Sequence, residues 1–150
     1  MVIRTLNEED IKTYRESIYE LLEICFRLTY ETISADAIES KIDGLIQYIK
    51  DGRAYTIGAI VENQMIAFLW GYPVTTPAEK VFHIAYIAVG ENGRRQGIGK
   101  KLMHMAESIA KELGLANVEL MVGSKNEGAI SFYEKEDYKP DRIIMRKQVW

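Results

Sequence analysis

Residues 80–113 restrict the fold more than any other stretch of this chain. The continuous apolar segment KVFHIAYIAVG runs into GRRQGIGKK (Gly93–Lys101), and then into a helix-periodic segment from about Gly97 to Leu113. A strand that is apolar on both faces needs cover on both, so it belongs in the middle of a sheet layered with helices. The helix behind the turn turns Ile98, Leu102, Met105, Ala106, Ile109 and Leu113 inward and Lys100, Lys101, Glu107, Lys111 and Glu112 outward, with Gly114 as its C-cap. Strand, glycine-rich turn and amphipathic helix in succession commit the chain to an α/β arrangement.

The flanking segments fit that arrangement. Val2–Thr5 reads as a short strand, after which Asn7 caps a helix whose apolar positions Ile11, Tyr14, Ile18, Leu21, Leu22, Cys25 and Leu28 carry it to about Tyr30. Ser34 opens a second helix with Ile38, Ile42, Leu45, Ile46 and Ile49 inside and KDG as its stop. The segment YTIGAIVENQMIAFLWGYPV reads as a hairpin turning at Glu62-Asn63-Gln64, and Pro73 and Pro77 mark a loop. A strand at Asn117–Val122, a short helix at about Asn126–Glu134 and a last strand in DRIIMRKQVW complete the order. No repeat, low-complexity tract or linker divides it, so residues 1–150 are expected to form a single domain around one mixed sheet.

Composition narrows the function classes. The 150 residues are 47% hydrophobic and 27% charged, which is the balance of a folded globular chain. A formal charge of −3 and scattered basic residues argue against nucleic-acid binding through a broad basic face. One cysteine, Cys25, allows neither an intramolecular disulfide nor a multi-cysteine metal site, and its place in an apolar helical pattern reads as a buried inert thiol, its alternative being a nucleophile. The stretch MVIRTLNEED lacks the basic region followed by an apolar run that marks a signal peptide, and no run has the ~18 apolar residues of a membrane span. A cytoplasmic location without a metal cofactor is the resulting expectation.

The turn itself has chemistry. Backbone N–H groups at a helix N-terminus have no intrahelical acceptor, and the helix dipole adds positive potential, so a glycine-rich entry is suited to phosphate. The alternative is a plain turn in front of a solvated, lysine-bearing helix face. Two familiar phosphate loops do not match. A Walker loop would need glycine at Arg94 and a hydroxyl at Lys101, and the dinucleotide fingerprint would need glycine at Leu102 and an acidic residue ending the next strand at Val122.

The remaining pattern, Arg94-x-x-Gly97-x-Gly99, resembles the [RQ]-x-x-G-x-[GA] signature of the GNAT acetyltransferase superfamily. A second segment, NEGAISFYEKEDY (Asn126–Tyr138), is similar to that family's N-x-x-A-x-x-F-Y-x-x-x-G-F stretch and lies one strand later, as in the family. Together with YIAV the resemblance covers about residues 81–139. It implies a GNAT-like mixed central sheet flanked by helices, with strands 4 and 5 splayed to form a cofactor cleft, and acetyl-coenzyme A as acyl donor. It also implies transfer of the acetyl group to a primary amine by direct attack. The family's glycine before the last aromatic is replaced by Asp137, a residue that tolerates the left-handed conformation better than most.

Carried onto this chain, the resemblance implies that the amides of Arg95, Gln96, Gly97, Ile98, Gly99 and Lys100 bind the pyrophosphate, with Arg94, Arg95, Lys100 and Lys101 adding charge. The exposed edge Ile87, Ala88 and Val89 would pair with the pantetheine arm, and the Ile87 amide would stabilise charge on the thioester oxygen. Asn126 would contact the cofactor while capping its helix. Tyr133 falls at the position of the general acid that protonates the departing thiolate, its alternative being an aromatic packed on the sheet. His83 falls where several members carry a glutamate base, its alternative being a core histidine; Tyr86 and Glu79 are further candidates.

The acceptor side is expected at about Phe26–Ile33 and Tyr72–Lys80, with Tyr30, Glu31, Tyr72 and Glu79, and also Trp70, available to a polar amine. A small-molecule amine is the expected acceptor, a protein or peptide amine the alternative. A non-catalytic acyl-coenzyme A sensor would keep the loop without needing Tyr133 or a base. The resemblance allows a homodimer.

Overall fold

A computed structural model describes the whole chain, Met1–Trp150. Its elements are β1 (Val2–Thr5), α1 (Glu8–Thr13), α2 (Arg15–Thr29), α3 (Ala35–Lys50), β2 (Tyr55–Val61), β3 (Gln64–Thr75), β4 (Lys80–Val89), α4 (Ile98–Glu112), β5 (Val118–Leu120) and α5 (Glu127–Lys135). The strands form one sheet in the order β1-β2-β3-β4-β5, antiparallel from β1 through β4, with β5 parallel to β4.

Two apolar layers flank this sheet, which is the mixed α/β architecture expected. On one face Ile11, Ile18, Leu22, Ile38, Ile42 and Leu45 from the three N-terminal helices pack on Phe68, Trp70 and Ala88. On the other, Ile98, Leu102, Met103, Ala106 and Ala110 of α4 pack on Ile57, Leu69, Phe82 and Ile84. β4 contributes to both layers, which is why its sequence lacks alternation. Along α4, Met103 and Ala110 take inner positions that periodicity did not single out, whereas Leu113 is exposed at the C-cap.

Local signals account for most boundaries. Asn7 and Asp10 form a reciprocal capping box, and Asp10 is also held by Arg4 through two 2.8 Å hydrogen bonds. The Ser34 hydroxyl accepts from the Ala37 amide, and Gly52 ends the following helix at φ +68°. The β2–β3 hairpin turns through Glu62 and Asn63, both at positive φ, as a tight two-residue connection requires.

Four expectations are corrected. The first helix is divided at Tyr14 (φ −102°, ψ 22°), after which Arg15 is drawn to Glu39 and Asp43 on α3. Pro73 lies inside β3, opposite Phe82, rather than in a loop; β2 pairs only as far as Gly71, so the missing N–H leaves no ladder bond unmade. β5 covers Val118–Leu120, shorter than Asn117–Val122. The segment DRIIMRKQVW is not a strand: residues 139–150 are exposed and belong to no element. Its apolar residues fall as the block Ile143–Met145 and the pair Val149-Trp150 instead of alternating, and Pro140 precedes it. No helix is long and apolar enough to cross a membrane.

Candidate active site

The site begins with an irregularity in β4. Trp70 is opposite Tyr86 but Gly71 is opposite Ile84, so Ala85 is an extra residue. Such a bulge reverses the alternation of side chains. Phe82 and Ile84 face α4 before it, and Ile87 and Val89 face the same layer after it. His83 and Tyr86, three positions apart, therefore share the face that carries α2 and α3. The bulge also ends the partnership with β5, whose register covers only Phe82, His83 and Ile84. Beyond it, Ala85–Val89 has β3 on one edge and no strand on the other, which is the splay expected between strands 4 and 5.

The Ile87 carbonyl accepts a 3.4 Å hydrogen bond from the Cys25 thiol of α2. Both polar groups of a strand residue in an antiparallel pair point the same way, so a carbonyl turned from β3 toward Cys25 takes the Ile87 N–H to the open edge as well. Cys25 is thus half-buried at the wall of the cleft, a position its helical periodicity did not indicate. Desolvation pushes its thiol up to about 11, against the weaker opposing effect of the bond to Ile87. It is a neutral thiol at physiological pH, consistent with the inert reading.

After β4 the chain makes a single 3-10 turn, Glu91–Gly93, then places Arg95 at φ +64° and Gly97 at φ +70° before α4 starts. The first α4 amide with a backbone acceptor is that of Lys101, bonded to the Gly97 carbonyl at 3.2 Å. The six amides before it, from Arg95 through Lys100, have none. They form a run of free donors at a helix N-terminus, the arrangement that accepts phosphate oxygens. A Cβ added at Gly97 would meet no atom within 4 Å, so the surface above the turn is open to a ligand.

Side chains divide into committed and free. Gln96 folds back to donate to the Asn92 carbonyl at 2.9 Å, and the Lys100 ammonium is 3.9 Å from Glu136. Arg94, Arg95 and Lys101 make no ion pair, which leaves three cations at the loop. This donor set fits a pyrophosphate in both geometry and charge. No group of three or more His, Cys, Asp or Glu side chains is placed to hold a metal ion.

α5 is attached beside the loop by several contacts. Phe132 lies 3.5 Å from where a Gly99 Cβ would stand, an ordinary van der Waals contact, so α5 packs directly on the first turn of α4. His104 approaches Glu136 at 3.5 Å, and the Tyr138 hydroxyl donates to Glu107 at 3.0 Å. Asp137 takes φ +68°, so the turn survives without the family's glycine. Asn126 caps the helix, its side-chain oxygen accepting from the Ala129 amide at 3.3 Å. Tyr133 packs between Phe132 and Tyr138, ring centroids 5.3 and 6.0 Å away, and lies near enough to Cys25 that a thiolate there would disfavour its ionisation. Burial pushes its phenol up to about 12.

The raised values of Cys25 and Tyr133 carry a stability consequence. Each group keeps in the folded state a proton that the unfolded chain releases above its ordinary value, near ~8.5 for the thiol and ~10 for the phenol. Their contribution is complete below those values and is lost as pH climbs through about 11 and about 12. The melting temperature should therefore fall between pH 9 and pH 11 by the equivalent of on the order of 2 kcal/mol. An unchanged Tm across that range would contradict the burial of both groups.

The residues expected at the acceptor side separate. Tyr72 lies opposite His83 with ring centroids 5.5 Å apart, and Tyr30, at the C-cap of α2, is exposed and packs edge-on to Phe26. Phe26 in turn meets Tyr86, whose phenol is raised mainly by burial. Trp70 is buried among Tyr48 and Tyr86 and is no rim residue. Glu31 is exposed in the loop after α2. Glu79 is set apart at the far end of β4, where its carboxylate accepts from the Asn117 side chain at 2.9 and 3.2 Å.

Comparison with known proteins agrees with this geometry. The family described as "Acetyltransferase (GNAT) family" matches residues 15–138, and the chain belongs to that family of acyltransferases. The relatives include GCN5-related N-acetyltransferase 4, chloroplastic, from Arabidopsis thaliana, 27% identical over 114 residues that make up 75% of this chain and 39% of that one. The catalytic subunit NAA20 of the N-terminal acetyltransferase B complex, from the same plant, is 37% identical over 65 residues, 43% of this chain and 37% of the relative. The chain thus spans well under half the length of these two curated relatives. Among solved structures, the aminoglycoside acetyltransferase meta-AAC0020 from an uncultured soil metagenomic sample, in complex with trehalose, superposes with a TM-score of 0.77 at 22% identity, covering 99% of this chain and 95% of that one. That likeness is one of fold.

Proposed function

We propose that the chain is an acetyl-coenzyme A-dependent N-acetyltransferase that moves the acetyl group directly to the primary amine of a small molecule. The run of six free amides from Arg95 to Lys100, beside an open β4 edge, is the observation that carries this reading. In it these amides bind the pyrophosphate, with Arg94, Arg95 and Lys101 supplying countercharge, and Ile87–Val89 pair with the pantetheine amides as a neighbouring strand would. The Ile87 N–H stabilises charge on the thioester oxygen. Tyr133 donates toward the sulfur as the C–S bond breaks.

An alkylammonium cannot attack until it loses a proton, and His83 takes that proton. Along the strand His83 lies about 13 Å from Ile87, so the proton travels through water. The second proton of the attacking nitrogen restores Tyr133, which leaves one proton to pass from His83 to solvent. A neutral Cys25 favours direct transfer over an acetyl-cysteine route. The aromatic rim of Tyr30, Tyr72 and Tyr86 suits a small amine, and the similarity to NAA20 favours a peptide amine as the second reading. Hydrogen exchange tests the loop. Acetyl-coenzyme A should slow exchange at Arg95–Lys100, Ile87 and Val89 by about tenfold or more, and unchanged exchange at saturating ligand would refute the assignment.

A further inference from the structure

In the parallel register of β4 and β5, His83 stands directly opposite Glu119, and their side chains leave the sheet on the same face. The His83 Nδ1 and the Glu119 Oε2 are 2.8 Å apart. His83 is mostly enclosed, its side chain 15% exposed, while that of Glu119 is 52% exposed. Tyr72 packs against the imidazole from β3, with ring centroids 5.5 Å apart and planes tilted by 48°. One ring nitrogen is therefore occupied, the ring plane is held, and Nε2 has no protein partner.

We infer that Glu119 is a positioning residue that fixes His83 in the Nδ1–H tautomer and leaves the Nε2 lone pair as the base for the acceptor ammonium. This rests on the acetyltransferase reading given above. An isolated neutral imidazole favours the other tautomer, in which Nε2 already carries the proton and cannot accept one. A carboxylate at Nδ1 reverses that preference, because which nitrogen is protonated is set by the hydrogen bond the other makes. When Nε2 takes a proton from the relay of water, the imidazolium gains a charge partner at hydrogen-bond distance. The proton later leaves to solvent, and Glu119 takes no part in the transfer beyond holding the ring.

The position of Glu119 also explains why β5 contributes beyond its length. Only Val118, Glu119 and Leu120 pair with β4, and the pairing ends one residue before the bulge. The short strand thus delivers one carboxylate to the middle of its three pairs, one residue short of the last pair, Ile84 with Leu120.

Two readouts test this, one of which needs no turnover. The chain has only two histidines, His83 and His104, so nitrogen NMR of histidine-labelled protein resolves the ring nitrogens with His104→Gln as the assignment control. At a pH where His83 is neutral, the protein should show His83 with a protonated Nδ1, and Glu119→Val should return the ring to the tautomer of free imidazole. In turnover, Glu119→Gln should lower kcat about tenfold with both KM values within about twofold, and should add little in a His83→Ala background already reduced about 100-fold. Rescue of most of the loss by Glu119→Asp would support the carboxylate's role. An Nε2–H tautomer in the unaltered protein, or full kcat in Glu119→Gln, would overturn the inference. A correct tautomer in a protein that acetylates nothing would instead overturn the acetyltransferase reading alone.

Discussion

Gly97→Glu should weaken acetyl-coenzyme A binding by at least about 100-fold, equivalent to ~3 kcal/mol, while the variant remains folded. Gly97 caps α4 at φ +70° and sits in the middle of the free amides. A glutamate there sets a negative charge and a side chain where the pyrophosphate must approach. The structural cost is modest, because a Cβ at this position meets nothing within 4 Å. The left-handed conformation itself costs a non-glycine residue roughly 1–2 kcal/mol, and Arg95 already tolerates φ +64° two residues earlier. Isothermal titration with a parallel thermal melt separates the two effects. Retained affinity in a folded variant would remove the pyrophosphate from this loop.

Tyr133→Phe should lower kcat about 100-fold, within the range of a general acid, with the dissociation constant for acetyl-coenzyme A changed by less than about threefold. The substitution keeps the ring between Phe132 and Tyr138 and removes only the hydroxyl, which has no partner in the structure. Because burial holds the phenol up to about 12, it stays protonated through the usable range. The acid form is the active one, so its loss reduces activity only as pH approaches that value, and no alkaline limb from Tyr133 appears below about pH 11. A phenol this weak acts by hydrogen bonding to the sulfur as charge builds rather than by early transfer. A variant with full rate at every pH would show that Tyr133 only packs.

The fold was legible wherever short-range signals act alone. Helix caps at Asn7, Ser34 and Asn126, the Glu62-Asn63 turn and the glycine-rich entry to α4 all depend on residues within a few positions of each other. What escaped depends on pairing. Ala85 looks like any strand alanine, and only the register of β4 against β3 makes it a bulge that turns His83 and Tyr86 to one face. Glu119 could not be singled out either, since its meaning comes from a parallel partner 36 residues away in sequence. Cys25 was read from its helical period as core, but the carbonyl it meets belongs to β4, 62 residues on. The C-terminal segment failed for the opposite reason. Its apolar content suggested a strand, but its blocks of like residues do not present one face to a sheet.

The free amides of the loop were legible, because the first amides of any helix have no intrahelical acceptor; their binding of phosphate is the proposal. The residues proposed for the acceptor were harder, since Tyr30, Tyr72 and Tyr86 come from the end of α2, from β3 and from β4 and none has a local signature. Glu79 illustrates this: it is near the site in sequence yet fastened to Asn117 at the other end of the strand.

The central claim, transfer of an acetyl group rather than mere retention of its carrier, is tested most directly by thiol release from acetyl-coenzyme A across a panel of primary amines. The panel should span amino sugars, polyamines, amino acids and short peptides. The account predicts release that depends on one amine class, saturates with it, and falls about 100-fold in Tyr133→Phe. Tight acetyl-coenzyme A binding with no amine-dependent release from any member would contradict it and leave a sensor in its place.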